Sequence, residues 1–367
     1  MFSGRDSVLA VDLGSASLKA VELGAEDGKP VLRRAAAVDL PVPPDGDREN
    51  RPDRRARLMA ALADLMREMG VKPSRARRLV SSLPGAQVSI KQIRCPALPE
   101  GEIRSALVFE ARKHLPVEGE VLMDYQVLAR RPEELEVLLV ATAKQAVVGH
   151  VATLEACGLK GGIIEAPSLA LWNAYLELEK PADEEAMGLL HIGAATASLS
   201  FFRSGGLFFT REIPIAGDRF TEDARERFGG DFALAERAKV AQGLFGAAED
   251  SGAGKAKGLS LELEEETRGG NPSLLDLVRE LTRSVRFYLK ESGRPRIAGL
   301  ALAGGSAADR GLEGYLAKET GLPVKRFDPF SRLENAAGAQ VGNTMQFAQA
   351  VGMGLRGMHE FFPHRLK

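Results

Sequence analysis

Cysteine is nearly absent from this sequence: Cys95 and Cys157 are the two thiols in 367 residues. So few build no disulfide framework, and no C-x-x-C pair offers a metal site, so a reducing compartment is expected. An excess of charge of one sign is missing too. The 49 basic and 50 acidic residues leave a formal net charge of -1, which argues against bulk nucleic acid or an anionic membrane as a dedicated partner. Arg51, Arg54, Arg55 and Arg57, then Arg75, Arg77 and Arg78, form local basic clusters. Helix formers and acidic neighbours are mixed with them, so they read as solvated faces. No run approaches the ~18 apolar residues that span a bilayer, and Asp12 interrupts the N-terminal stretch before the apolar part of a secretory signal could develop. The expectation is a protein that reaches a membrane only through partners. There is also no Walker A loop and no G-x-G-x-x-G opening a helix, so the P-loop and dinucleotide-binding classes fall away. What remains is an ordinary globular composition, 44% hydrophobic and 27% charged, on a chain long enough for two cores.

The segment from Ser7 to Gly24 predicts two strands around a tight turn. Val8, Leu9, Ala10, Val11 and Leu13 are nearly unbroken apolar, and Leu18, Ala20, Val21 and Leu23 follow. A proline-rich loop from Leu40 to Pro44 leads to a helix over about 54–69, with Leu58, Leu62, Leu65 and Met66 at helical spacing. Residues 78–83 predict a strand stopped by Pro84-Gly85, and 88–93 a half-buried strand. A helix follows over 100–114, then strands over 121–129 and 136–143, then a helix over 146–157 capped by Gly158. Residues 80–145 therefore read as an insertion within a larger α/β region. The second half repeats the opening grammar: strand, glycine-centred turn and strand over 188–202, then Ser204-Gly205-Gly206 turning into 207–213. Helices are predicted over 218–243 and 274–290, separated by a Gly-, Ala- and Glu-rich excursion. A buried strand over 297–303 ends in Gly304-Gly305. A unit repeated near residues 8 and 188 predicts two lobes on one plan with a cleft between them.

The turns carry the chemistry. A phosphate is gripped by backbone N–H groups that approach it closely, and small residues permit that approach. In the first turn Gly14, Ser15 and Ala16 are small, Lys19 can bring a positive charge, and Asp12 at the strand end can hold Mg²⁺. The second turn, with Gly193, Ala194 and Thr196, is spaced like the first. Gly304, Gly305 and Ser306 follow a buried strand where a base or ribose can lie against backbone.

These three turns resemble, in order, the two phosphate motifs and the adenosine motif of the actin, Hsp70 and sugar-kinase superfamily. Further stretches resemble the PilM family of type IV pilus assembly proteins: Leu83-Pro84-Gly85 with Val88–Ile93, Phe109–Pro116, Met123–Leu128 and Leu207–Gly217. The resemblance spans about residues 7–355. It implies an α/β, actin-like (ribonuclease H-like) duplicated two-lobed fold. The first lobe would cover 1–180 with its insertion at about 80–145, where the cell-division protein FtsA also differs from actin. The second lobe would cover 181–340 with a helical excursion over about 218–290, and 341–367 would return as a C-terminal helix and tail. ATP and Mg are the implied ligands, with Glu236 and Lys239 as adenosine contacts or, equally, a surface ion pair. Glu165 would orient an attacking water or simply cap the next helix. A PilN-like N-terminal peptide of a membrane protein would lie against the insertion, in a groove lined by Leu83, Pro84, Val88, Ile90, Ile93, Leu107, Tyr125 and Val127. The protein would then be a cytoplasmic adaptor at the inner face of the bacterial inner membrane, touching other pilus components, with self-association left open.

One position breaks the pattern. The second phosphate turn of the superfamily begins with Asp, and here it is His191. A neutral imidazole holds hard Mg²⁺ poorly and a protonated one repels it, so ATP binding with weak or absent hydrolysis is expected. The alternatives are an actin-like component of a type II secretion system like GspL, a small-molecule kinase of the superfamily, and a filament former like FtsA or MreB. The tail Glu360–Lys367 resembles an apolar-proline-basic docking peptide or a frayed end.

Overall fold

The computed structural model describes residues 7–42, 53–73, 78–114, 119–181, 186–203, 206–244, 271–292, 296–309, 311–335 and 341–363. Arg51, Arg75, Arg77, the Ser204-Gly205 turn, most of the 243–272 excursion and the last four residues of the tail lie outside them.

Two sheets share one topology. In the first, β1 (Ser7–Leu13) pairs antiparallel with β2 (Ser17–Glu26), which pairs with β3 (Lys29–Asp39). On its other side β1 runs parallel to β4 (Leu79–Ser82), and β4 to β8 (Ile163–Glu165). In the second, β9 (Ala186–Ile192), β10 (Ala197–Arg203) and β11 (Gly206–Ile213) repeat the antiparallel trio. There β12 (Ile297–Ala303) and β13 (Val324–Arg326) supply the parallel side. The order 3-2-1-4-8 thus recurs as 11-10-9-12-13, with β14 (Glu334–Asn335) added beside β3. β3 was not expected from the sequence. Its run Arg33-Arg34-Ala35-Ala36-Ala37 hides the alternation that marks a strand, and Arg34 is drawn in by Glu22 (3.6 Å) and the Met69 carbonyl (2.9 Å).

The central strands β1 and β12 are almost wholly apolar because helices cover both faces. Val8 and Ala10 of β1 face α4 (Pro167–Glu179) and α9 (Ala348–Phe361), while Leu9 and Val11 face α1 (Arg54–Glu68). In the second sheet Leu189, Ala301 and Ala303 look inward to the same α4/α9 core. Leu190, Ile192, Leu300 and Leu302 look outward to α5 (Gly217–Phe228), α7 (Pro272–Ser292) and α8 (Leu312–Thr320). The helical stretch expected over 218–243 is two helices, α5 and α6 (Phe232–Gln242), broken at Gly229 and Gly230 with φ of 75° and 94°. Trp172 of α4 stacks on Phe202 at 4.2 Å, joining the lobes.

The three-stranded sheet stands apart: β5 (Val88–Pro96), β7 (Glu134–Ala143) and β6 (Val121–Arg130), in that order, with α2 (Glu100–His114) on one face. It is smaller than the expected 80–145 insertion. β4 belongs to the first sheet, and Lys144 opens α3 (Lys144–Ala156), which packs beside α1. Among the described residues no helix is long and apolar enough to cross a membrane. Of the tail, Phe361 and Phe362 pack onto this chain's own central core, and Arg78 lies 4.3 Å over the Phe362 ring.

α9 reaches the first sheet through its glycines. A Cβ on Gly352 would overlap the Ala170 carbonyl oxygen of α4, and one on Gly357 would meet Val8 and Val80 at 2.6 and 2.7 Å. Gly352→Ala is expected to cost about 3 kcal/mol or more through overpacking of a backbone contact. Gly314→Ala in α8, where nothing lies within 4 Å, should be neutral or stabilising by under about 1 kcal/mol. Urea denaturation of the two variants checks the contrast.

Candidate functional site

The strand ends place three turns around one cavity of about 1340 Å³ between the lobes. In the first, Asp12 and Lys19 are cross-strand neighbours on β1 and β2, 3.8 Å apart. Burial raises the Asp12 carboxyl above its usual range, and Lys19 opposes that rise. Gly14 cannot be replaced without distortion: a Cβ would stand 2.6 Å from the Ser17 carbonyl oxygen and 3.0 Å from Lys19 Nζ.

The second turn is held from behind. Its Gly193 carbonyl accepts from Gly217 N (3.1 Å) and Ser306 Oγ (3.0 Å), and the Ala194 carbonyl from Asp218 N (2.8 Å). The N-terminus of α5 is thereby fixed against the turn. Across the cleft Ala195 N donates to Ser15 Oγ at 3.3 Å, so the two turns touch directly. The third turn is anchored by Asn343, whose Nδ2 donates to the Gly305 carbonyl at 3.0 Å.

Asp12, Gly14, Ser15, Ala16 and Lys19 all line the cavity, as do Gly193, Ala194, Thr196, Gly305 and Ser306. Glu236 and Lys239 line it as well, but they are occupied by each other and by the scaffold. Lys239 Nζ lies 2.8 Å from Glu236 and donates to the Gly217 carbonyl (2.9 Å) and Thr221 Oγ1 (2.7 Å). Both tie α6 to α5, whose shared side they face. Gly304 is not on the cavity wall; its φ of 99° turns the chain where a Cβ would overlap the Ile192 carbonyl oxygen.

Glu165 departs from its expected place. It is not on the cavity wall: its Oε1 accepts from Ala166 N at 3.0 Å and its Oε2 lies 3.6 Å from Arg356 of α9. The carboxylate is engaged by the backbone just before α4 and by Arg356 of α9, and it makes no side-chain cap on α4, so neither the water-orienting nor the capping expectation describes it. The eight groove residues do not share one surface either. Leu83 and Pro84 line the nucleotide-sized cavity. Strand alternation sends Val88 and Ile90 toward the central core, and Ile93, Tyr125 and Val127 toward α2, where Leu107 is fully buried.

Asp309 and Glu212 are among the cavity residues not singled out from the sequence. Asp309 accepts from Leu244 N at 2.8 Å and is raised by burial to about 6, with Leu244, Lys239 and Arg326 opposing. Glu212 is raised by burial to about 7, opposed by a hydrogen bond from Thr196. The cross-strand register puts His191, Ser198 and Glu212 in one row over β9, β10 and β11, all three on the cavity wall. In the sequence the only trace was the register implied by the Ser204–Gly206 turn. His191 is driven down to about 3 by burial and the nearby Lys19, so it is neutral at pH 7. Among the described residues no group of three or more His, Cys, Asp or Glu forms a metal cluster, so the cation assignment rests on Asp12.

The family described as type IV pilus assembly protein PilM matches residues 10–358. The chain belongs to this family. A solved PilM-PilN type IV pilus biogenesis complex superposes with a TM-score of 0.77 at 24% identity, covering 96% of this chain and 98% of that one. The ethanolamine utilization protein EutJ from Carboxydothermus hydrogenoformans follows at 0.52 and 14%, covering 96% and 90%. Among curated proteins, cell division protein FtsA of Escherichia coli K12 is 26% identical over 220 residues, 53% of this chain and 50% of FtsA. The chain spans about half the length of the curated relatives it matches. The actin-like fold expected from the turns and the PilM kinship expected from the stretches around them are the ones found.

The buried titrating groups give a pH signature. Glu212 holds its proton in the folded state up to about pH 7, against 4.5 when exposed, so its contribution to stability falls as pH rises from about 4.5 through 7. Asp309 acts in the same sense between 3.8 and about 6. His191 acts in the opposite sense: stability falls as pH drops from 6.5 toward about 3. Glu212→Gln should therefore gain on the order of 2–3 kcal/mol relative to wild type at pH 8 compared with pH 5, measured by urea denaturation at both values.

Proposed function

We propose that this PilM-family chain is an ATP-holding adaptor of the inner-membrane type IV pilus assembly complex, working at the cytoplasmic face, with little or no hydrolysis. The observation that carries the reading is the convergence of three small-residue turns on one cavity, with Lys19 and Asp12 at its first turn. These residues fit a nucleoside triphosphate with its cation. Gly14 keeps the backbone open to close approach, Lys19 brings positive charge to phosphate oxygens, and the Asp12 carboxylate is a hard oxygen ligand that would hold Mg²⁺. Bound Mg²⁺ would neutralise phosphate charge.

The weakness of hydrolysis follows from His191. Held neutral in the cavity beside Lys19, it supplies neither a hard ligand nor a carboxylate to position water. Glu165, engaged by Ala166 N and Arg356 away from the cavity wall, does not make up the loss at the second turn. The partner is an N-terminal peptide of a PilN-like membrane protein; the solved PilM-PilN complex of the relative supports this. Its site is sought on the three-stranded unit where that unit meets the first lobe. The membrane is reached through this partner.

Gly14→Val should abolish binding of a fluorescent ATP analogue while leaving the fold intact by circular dichroism. Wild type should release phosphate from Mg-ATP at well below about 1 per second, and His191→Asp should raise the rate about tenfold or more. A wild-type turnover of several per second would overturn the adaptor reading. Calorimetric titration with a PilN-type peptide tests the partner.

A further inference from the structure

β11, the edge strand of the second sheet, lies beside β5, the edge strand of the three-stranded unit. Alternate residues of β11 face the junction. Thr210 Oγ1 lies 3.1 Å from Ser168 of α4 and 2.9 Å from Ser200 of β10, which locks the strand to both lobes. Two residues on, Glu212 reaches further. Its carboxylate takes a hydrogen bond from Thr196 of the second turn and lies flat against Gly85 of the first lobe. A Cβ on Gly85 would stand 2.5, 2.7 and 2.9 Å from Oε1, Cδ and Oε2. The contact is thus side chain on bare backbone, and a larger residue at position 85 would displace the Glu212 carboxylate.

Gly85 opens the single 3₁₀ turn, Gly85–Gln87, that carries the chain from β4 into β5. The far end of that turn is tied to the three-stranded sheet, because the Gln87 carbonyl accepts from Thr142 Oγ1 of β7 at 2.8 Å. One side chain therefore spans from the second turn to the root of the three-stranded unit. A direct contact of this kind gives a displacement at the second turn a path to the Gly85 turn.

We infer that Glu212 is the positioning residue that couples occupancy of the second turn to the placement of the three-stranded unit. The inference rests on the reading that the cavity takes an anionic nucleotide and adds the route by which the partner-bearing unit senses it. An oxyanion drawing on the 193–196 turn shifts Thr196, moves the Glu212 side chain hydrogen-bonded to it, and with it the Gly85 turn and β5 behind it. The ligand thereby has a different free energy in the two placements, which is what coupling requires.

The test is hydrogen–deuterium exchange of the full chain with and without Mg-ATP, with nucleotide binding measured on the same samples. In wild type, Mg-ATP should change exchange in peptides from 88–143 by about fivefold or more. Glu212→Ala and Gly85→Ala should each remove most of that change, and the double variant should do no more than either alone, since both cut one contact. Glu212→Gln, which keeps the size and the partner for Thr196, should restore at least half of it. A merely structural role would make the unit exchange faster with and without ATP alike, leaving the ratio intact; that result overturns the inference. So does wild type that binds ATP with no change in 88–143, and there the nucleotide reading survives. If wild type binds no ATP, the nucleotide reading falls first and the inference goes with it.

Discussion

The touching backbones of α4 and α9, with Gly352 against Ala170, allow a single layer of two helices to serve as core for both sheets. Val8 and Ala10 pack on that layer from the first lobe, and Leu189, Ala301 and Ala303 from the second. Because the layer is thin, the ends of β1 and β9 come close enough for Ser15 and Ala195 to bond across the cleft. A bulkier helix would hold the lobes apart and the three turns would no longer border one cavity. The position of the cavity residues thus depends on a few small side chains at the α4–α9 contact.

The cavity wall has the opposite character. Asp12, Glu212 and Asp309 are pushed toward their neutral forms by burial, and so is His191. Buried charge is costly without a partner, and several such groups around one cleft mark a place shaped for a charged ligand more than for stability. The signs differ in a useful way. The carboxyls resist losing their protons while the imidazole resists gaining one, so near neutral pH the wall carries less charge than its composition suggests. Lys19 remains the cation nearest the first turn.

Much of this was legible in the sequence, for physical reasons. Strand-turn-strand units declare themselves because a sheet covered on both faces needs largely apolar runs, as in Val8–Val11 and, but for His191, Leu189–Ile192, joined by small turn residues. The helix over 100–114 and the strand over 297–303 were legible to the residue. β3 was not, since its arginines interrupt the alternation and are matched only by partners distant in sequence, Glu22 and Met69. The peptide groove failed for a related reason. Which face of β5 or β6 a side chain takes depends on what packs there, and α2 took the face with Ile93, Tyr125 and Val127. Glu165 looked free at a strand end because Arg356, its partner, lies almost two hundred residues later. Glu212 acquires its neighbours Thr196 and Gly85 only once two lobes and a third sheet are assembled.

The hydrogen bond from Ala195 N to Ser15 Oγ has one more implication. It means that a donor of the second turn is already answered, by a neutral hydroxyl from the opposite lobe. An arriving oxyanion competes with part of the protein itself, offering a charge-assisted bond in exchange for a neutral one. The lobes lose a direct tie at the moment the ligand begins to bridge them. Ser15 is in this sense a placeholder, and its hydroxyl sets the threshold of negative charge below which a visitor to the cleft is not worth the exchange.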